Sequence, residues 1–107
     1  MNDAQRRRVL GLVGLGMRGR LVIVGVEQVR EAVRRGSVVL ALVASDAAGN
    51  SVQKVVPLLK AKEVDIVNGV PAAELGGAVG RKTTAVIGIV DVQLARGIRG
   101  IVDAGDA

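Results

Sequence analysis

Apolar runs rich in β-branched residues alternate along this chain with amphipathic helical patterns, and that alternation admits few folds. A sheet covered by helices on both faces produces it, because its strands must be apolar on both sides. Val38 to Ala44 is an uninterrupted apolar run and is predicted to be such a strand. Thr84 to Val90 is a second, and Leu21 to Val24 and Val64 to Val67 are shorter ones, giving four. Val26 to Arg35 places Val26, Val29, Ala32 and Val33 on one face of a helix and Glu27, Arg30, Glu31 and Arg34 on the other. Gly36 supplies a left-handed stop, and Glu31 and Arg35 stand four apart as a favourable pair.

The third helix is expected to start at Asn50, capped by that side chain with Gln53 reaching back, and to kink at Pro57. Val52, Val55, Val56 and Leu59 form its buried stripe. Pro71 suits the first turn of a short helix through Val79, ended by Gly80. A last helix runs from about Val92 to Ile101, and Asp103 to Ala107 is expected to fray. No linker interrupts the pattern, so residues 1–107 are expected to form one α/β domain.

Five residue types are missing, and the gaps exclude whole classes of chemistry. The chain has no Cys, His, Phe, Tyr or Trp. Disulfides, thiolate metal sites and imidazole acid–base or nucleophile systems are therefore impossible. Ser37, Ser45 and Ser51 have no histidine to activate them and read as turn and cap residues. No enzymatic activity, cofactor, metal or small-molecule substrate is expected. A core filled by Val, Leu and Ile alone should pack adequately with modest stability, melting below about 90 °C.

The charge balance points to an anionic partner. Lys plus Arg number 15 against 10 Asp plus Glu, a net charge of +5, and the pI is near 10.8. Nucleic acid is the commonest partner of a basic domain this small, although an anionic membrane surface or a merely solubilising charge gives the same total. No apolar run reaches the roughly 18 residues of a membrane span, and the segment after the Arg triplet of Met1 to Arg8 is glycine-broken, without the compact apolar core and small-residue cleavage site of a secretory signal. A cytoplasmic location without membrane attachment is the expectation. Without aromatic rings, the stacking platforms of sheet-face RNA modules are excluded. Recognition must use base edges, phosphates and shape, with Arg18, Arg20, Arg30, Arg34, Arg35, Arg81 and Lys82 as candidates for the phosphates.

Two glycine-containing segments compete as phosphate sites. Gly14-Leu-Gly-Met-Arg-Gly19 follows the apolar Val9 to Val13 and has the spacing of a dinucleotide-binding turn. That mechanism needs a helix starting at the third glycine and a carboxylate about 20 residues on. Here Leu21 to Val24 is strand-like, and Asp46 is 27 positions past Gly19. These glycines are better read as loosening or closely packing the end of a first helix. The other segment is Val24-Gly-Val-Glu-Gln28, where Gly25 and Val26 open a helix whose first N–H groups are free for a phosphate. Glu27 and Gln28 in that turn can bond base edges, or else complement the helix dipole and face solvent.

Taken in order, Gly25-Val-Glu-Gln-Val-Arg-Glu-Ala-Val-Arg-Arg-Gly36, Val38 to Asp46, Val56-Pro-Leu-Leu59, Glu74-Leu-Gly-Gly-Ala-Val-Gly80, Ala85 to Val90 and Asp91 to Ile98 form a recognisable set. With these segments the chain resembles the ribosomal protein seven-Ae and thirty-e superfamily, the kink-turn RNA binders, and especially its small bacterial members. The resemblance implies a three-layer α/β/α sandwich with a four-stranded mixed sheet, binding sharply bent RNA of the ribosome or otherwise associated with translation. It puts Gly25, Val26, Glu27 and Gln28 at the sheared G·A pairs, with Arg30, Glu31 and Arg34 on the same helix. It puts Val67, Asn68, Gly69 and Val70 at the flipped-out nucleotide, which an exposed valine beside Gly69 would cover. Archaeal members carry Asn-Glu and, one turn on, Lys, where this chain has Glu27-Gln28 and Glu31. A structural or protein-interaction domain of the same fold that has lost RNA affinity, with Glu31 in place of a phosphate-facing cation, is the first alternative, and a degenerate dinucleotide-binding domain is the second.

Overall fold

The computed structural model describes residues 1–104. Its elements run α1 (Asp3–Arg18), β1 (Val22–Val24), α2 (Val26–Arg34), β2 (Leu40–Val43), α3 (Gly49–Ala61), β3 (Asp65–Val67), α4 (Ala72–Ala78), β4 (Val86–Ile89) and α5 (Val92–Ala104). The four strands form one mixed sheet in the order β1-β4-β2-β3. β4 is antiparallel to both β1 and β2, and β2 is parallel to β3.

Period-two alternation divides the core between two faces. Leu40, Leu42, Ile87 and Ile89 point to one side, where they meet Val9 and Val13 of α1, Leu75 of α4 and Ile98 of α5. Ala41, Val43 and Val86 point to the other and meet Val29 and Val33 of α2 and Val55 and Leu59 of α3. Helices on both faces are why the central strands are apolar throughout. The α2 side is lined by small residues. Gly88 pairs between Ile23 and Ala41, and a Cβ there would lie 3.5 Å from a Val29 methyl. With no aromatic ring available, close helix approach fills this layer where larger side chains fill the other.

Local chemistry sets most boundaries. Asn2 caps α1 reciprocally with Gln5, at 2.8 Å to the Gln5 amide and 2.7 Å back to its own. Gly36, at φ +75°, ends α2, with its amide on Val33 O and that of Ser37 on Ala32 O, both at 3.0 Å. Asp91 Oδ2 accepts from the Leu94 amide at 2.8 Å and starts α5.

Some expectations require correction. α3 starts at Gly49 after Ala48, with no side-chain cap. Asn50 therefore lies inside the first turn and bonds only the adjacent Ser51 amide, at 2.9 Å. Pro57 lies within α3, as expected, and the helix continues past it to Ala61. Pro71 is the residue before α4, not within its first turn. Helix α5 continues three residues past Ile101, to Ala104, with Arg99 and Asp103 paired at 2.9 Å. The rest of the expected frayed tail, 105–107, lies outside the described residues.

Gly14 and Gly16 lie inside α1, not in a strand-to-helix turn, so the dinucleotide geometry is absent from this segment. A Cβ on Gly16 would collide with Leu94 of α5 and sit 2.9 Å from Val22 of β1. Close packing is the reason for that glycine.

Candidate nucleic-acid interface

Strand direction gathers the interface. β1, β2 and β3 are mutually parallel in direction, so their C-terminal ends share one edge of the sheet with the start of β4. Four connections emerge there: Gly25 into α2, Ser45 to Ala48 into α3, Asn68 to Pro71 into α4, and Val79 to Ala85 before β4. Hydrogen bonds tie them together. Gly25 donates to Val86 O at 3.2 Å, Ala44 to Ala85 O at 2.8 Å, Ser45 to Val70 O at 3.0 Å and Thr84 to Ala72 O at 3.1 Å. Asp46 Oδ1 accepts the Ala72 amide at 2.8 Å and so caps α4 from another loop.

Gly25 makes the α2 turn possible. Its φ of +100° and ψ of 153° lie in a region that is essentially glycine-only. Its carbonyl accepts the Val29 amide at 2.9 Å, and no side chain caps α2. A Cβ at this position would lie 2.8 Å from Gln28 Oε1 and 3.9 Å from Arg81 Nη1. A side-chain amide and a guanidinium thus flank one bare stretch of backbone. Glu27 and Gln28 are exposed, and Val26 is half-buried.

Arginine 81 is the component the sequence did not place. It was one of seven dispersed phosphate candidates, and only the α4–β4 connection brings it to Gly25. That connection is held tightly, since a Cβ on Gly76 would be 2.6 Å from the Thr83 backbone. Lys82 is exposed in the same connection.

The remaining candidates divide between this edge and elsewhere, and Arg18 and Arg20, at the α1–β1 connection before the N-terminal end of β1, lie at the opposite edge and do not join it. Arg30 Nη1 lies 3.4 Å from both Glu27 carboxylate oxygens, while its Nε is buried without a partner. Glu31 is exposed and paired with Arg35 at 3.3 Å. Arg34 is in the last turn of α2, about 12 Å along the axis from Val26, so it does not join the cluster. Asn68 and Gly69 are exposed at the shared edge, Gly69 at φ +107°. Val67 and Val70 are core residues, 3% and 1% exposed. The expectation of an exposed valine in this loop is overturned, because β3 turns Val67 into the α1 side of the core and Val70 packs beside it.

Apolar surface is nevertheless present next to Asn68. A groove of about 410 Å³ opens between α3 and the ends of β2 and β3, with Val52, Val56 and Ile66 as half-buried walls and Ser45, Asn68 and Lys60 at its polar positions. The groove thus combines apolar walls with hydrogen-bonding groups at its polar positions.

A family model described as the Ribosomal protein L7Ae/L30e/S12e/Gadd45 family matches residues 7–97. The chain belongs to this family. The resemblance carried by the segments from Gly25 to Ile98 is thereby borne out. The RNA-binding protein YlxQ of Enterococcus faecium is 30% identical over 103 residues, covering 96% of this chain and 99% of that relative. A solved structure of a protein with unknown function from Bacillus halodurans C matches with TM-score 0.83 and 30% identity, covering 90% of this chain and 97% of the other. The Giardia lamblia 15.5kD RNA binding protein matches with TM-score 0.77 and 24% identity over 97% of this chain and 89% of its own, which shows the common fold. The L7Ae-like α/β/α sandwich expected from the sequence is the observed one.

Proposed function

We propose that this chain is a non-enzymatic RNA-binding protein that recognises kinked RNA through the loop edge of its sheet and acts in the cytoplasm, within or beside the translation apparatus. The observation that carries the reading is the convergence at Gly25, where the uncapped N-terminus of α2 is flanked by Gln28 Oε1 and Arg81 Nη1. Helix N-termini favour anions, and Gln28 both donates and accepts toward a base edge. Family membership and the relative named an RNA-binding protein support RNA as the ligand. No helix among the described residues is long and apolar enough to cross a membrane.

Each part has a role. Val26, Glu27 and Gln28 face the non-canonical pairs at the bend, and Arg81 and Lys82 hold the adjoining phosphates. Arg30 steadies Glu27, while Glu31 is drawn toward Arg35 and away from the RNA. Asn68 and Gly69 border the unstacked nucleotide. Its base enters the groove of Val52, Val56 and Ile66, the surface that supplies the apolar cover sought in Val67 and Val70.

Titration against a kink-turn RNA and an unbent duplex of equal length, at two salt concentrations, tests the proposal. Preference for the kink, lost in Glu27→Ala/Gln28→Ala, is expected. Equal and steeply salt-dependent affinity for both would replace it with a basic surface following phosphates. No affinity for either would favour the protein-interaction reading based on Glu31.

A further inference from the structure

Helix α1 presents a face that neither the fold nor the RNA surface at α2 uses. It buries Val9, Val13 and Gly16, joins α4 through Arg6 and Glu74 at 3.0 Å, and joins α5 through Gln5 Nε2 and Ile101 O at 3.2 Å. The remaining side carries Arg7, Arg8, Gly11, Leu15 and Arg18, all exposed. The only acid of α1, Asp3, is paired with Arg6 at 2.7 Å. Among the described residues, Arg7, Arg8 and Arg18 enter no ion pair.

Gly11 adds an independent observation. A glycine inside a helix is destabilising relative to alanine, and at Gly11 it leaves the helix surface bare of a side chain among arginines. Gly16 has the Leu94–Val22 pair into which a Cβ would drive, and Gly14 has Ala78 O at an ordinary contact distance of 3.6 Å from where its Cβ would lie. Gly11 has nothing within 4 Å. It leaves a gap on the outer face between Arg7 and Arg8 on one side and Leu15, 62% exposed, and Arg18 on the other.

We propose that this outer face of α1, with Arg7, Arg8 and Arg18 around the Gly11 gap, binds the phosphate backbone of a second RNA segment. Arg7 and Arg18 are 11 positions apart, about 16 Å along a helix, a span that faces several phosphates of a duplex. An acidic protein would need an apolar anchor cluster at its centre, and this face offers Leu15 alone. α1 and α2 cover opposite faces of the sheet, and the molecule measures 31 × 29 × 26 Å, so RNA seated on α2 leaves α1 free. The protein then bridges two RNA elements. Only the choice of RNA as ligand rests on the function proposed above.

The test is capture of a short unbent RNA duplex by protein already saturating an immobilised kink-turn RNA. Arg7→Gln/Arg8→Gln/Arg18→Gln, with its fold checked by circular dichroism, is expected to reduce capture about tenfold or more, with affinity for the kink changed less than about twofold. Gly11→Leu, which keeps every charge, is expected to reduce capture severalfold by filling the gap. Undiminished capture by the triple variant, or equal losses of kink and duplex, overturns the proposal. The same duplex is titrated against free protein, so that failure of kink recognition is separable. Affinity lost in the triple variant but kept in Glu27→Ala/Gln28→Ala sustains the second surface without a kink. No duplex affinity in the unsubstituted protein overturns it and leaves the face to an acidic protein.

Discussion

In and beside α2, Arg30 and Arg35 lie against carboxylates of the same helix, Glu27 at 3.4 Å and Glu31 at 3.3 Å. On the outer side of α1, Arg7, Arg8 and Arg18 face solvent with no acid among them. Both regions are rich in arginine, yet only the first presents a mixed polar surface in which geometry can discriminate between ligands. The second offers charge at regular intervals and one gap. Net charge therefore does not locate recognition; the pairing of each charge and the backbone beneath it do.

The largest break in this comparison should come from Gly25→Ala. The added Cβ would lie 2.8 Å from Gln28 Oε1, on a backbone at φ +100°. Strain of about 1–3 kcal/mol is expected, read as a lower urea midpoint at unchanged slope. Kinked-RNA affinity of the folded variant should fall about tenfold or more, because Gln28 is displaced from beside Arg81. Capture of an unbent duplex by α1 should be unaffected. Equal losses of both would show that the two surfaces are not independent.

Gly16→Ala should produce the converse result. Its Cβ would drive into Leu94 and Val22, and overpacking of this kind costs about 1–3 kcal/mol. Kink affinity at temperatures well below unfolding should stay within about twofold, since Gly16 lies in the C-terminal part of α1 and outside the loop edge. Gly11→Ala, in the same helix, should stabilise by about 0.5–1 kcal/mol, as the Cβ meets nothing. Opposite signs at Gly11 and Gly16 in parallel urea titrations would separate the glycine that packs from the one that leaves a space.

How much of this was legible in sequence depended on how local each cause is. The four strands and the last four helices follow from periodicity and from Gly36, because those signals act within a few residues, whereas α1 was read only as a first helix ending at the Gly14 to Gly19 segment. Strand ends were overextended: Val38 to Ala44 was expected where β2 is Leu40–Val43, although the Val39 and Ala44 amides still bond β4-side carbonyls at 2.8 Å. Asn50 had the right chemistry for a cap, but Gly49 is already helical. The Gly25 turn was visible because a glycine before an amphipathic helix carries its own conformational meaning. Arg81 beside Gly25 and Asp46 on Ala72 were not, since both depend on which loops the mixed sheet brings to one edge. Val67 and Val70 failed for the same reason: an apolar residue in a loop sequence does not reveal which way the chain turns it.

The smallest expected effect is the most discriminating about charge. Glu31→Lys removes the 3.3 Å pair with Arg35 and puts a cation on the exposed face of α2. An exposed pair of this sort contributes no more than a few tenths of a kcal/mol, so stability should barely change. RNA affinity should respond through its salt dependence. One added phosphate contact steepens the slope of log affinity against log salt by about 0.9, which makes the loss between about 50 and 200 mM salt greater by a factor of about 3. If the kink is seated on α2, that extra slope should appear for kinked RNA and disappear in the Gly25→Ala background. Its appearance for the unbent duplex alone would mean that phosphates reach α2 without the bend. The contrast between a shape-reading α2 and a phosphate-following α1 would then collapse into one continuous basic surface.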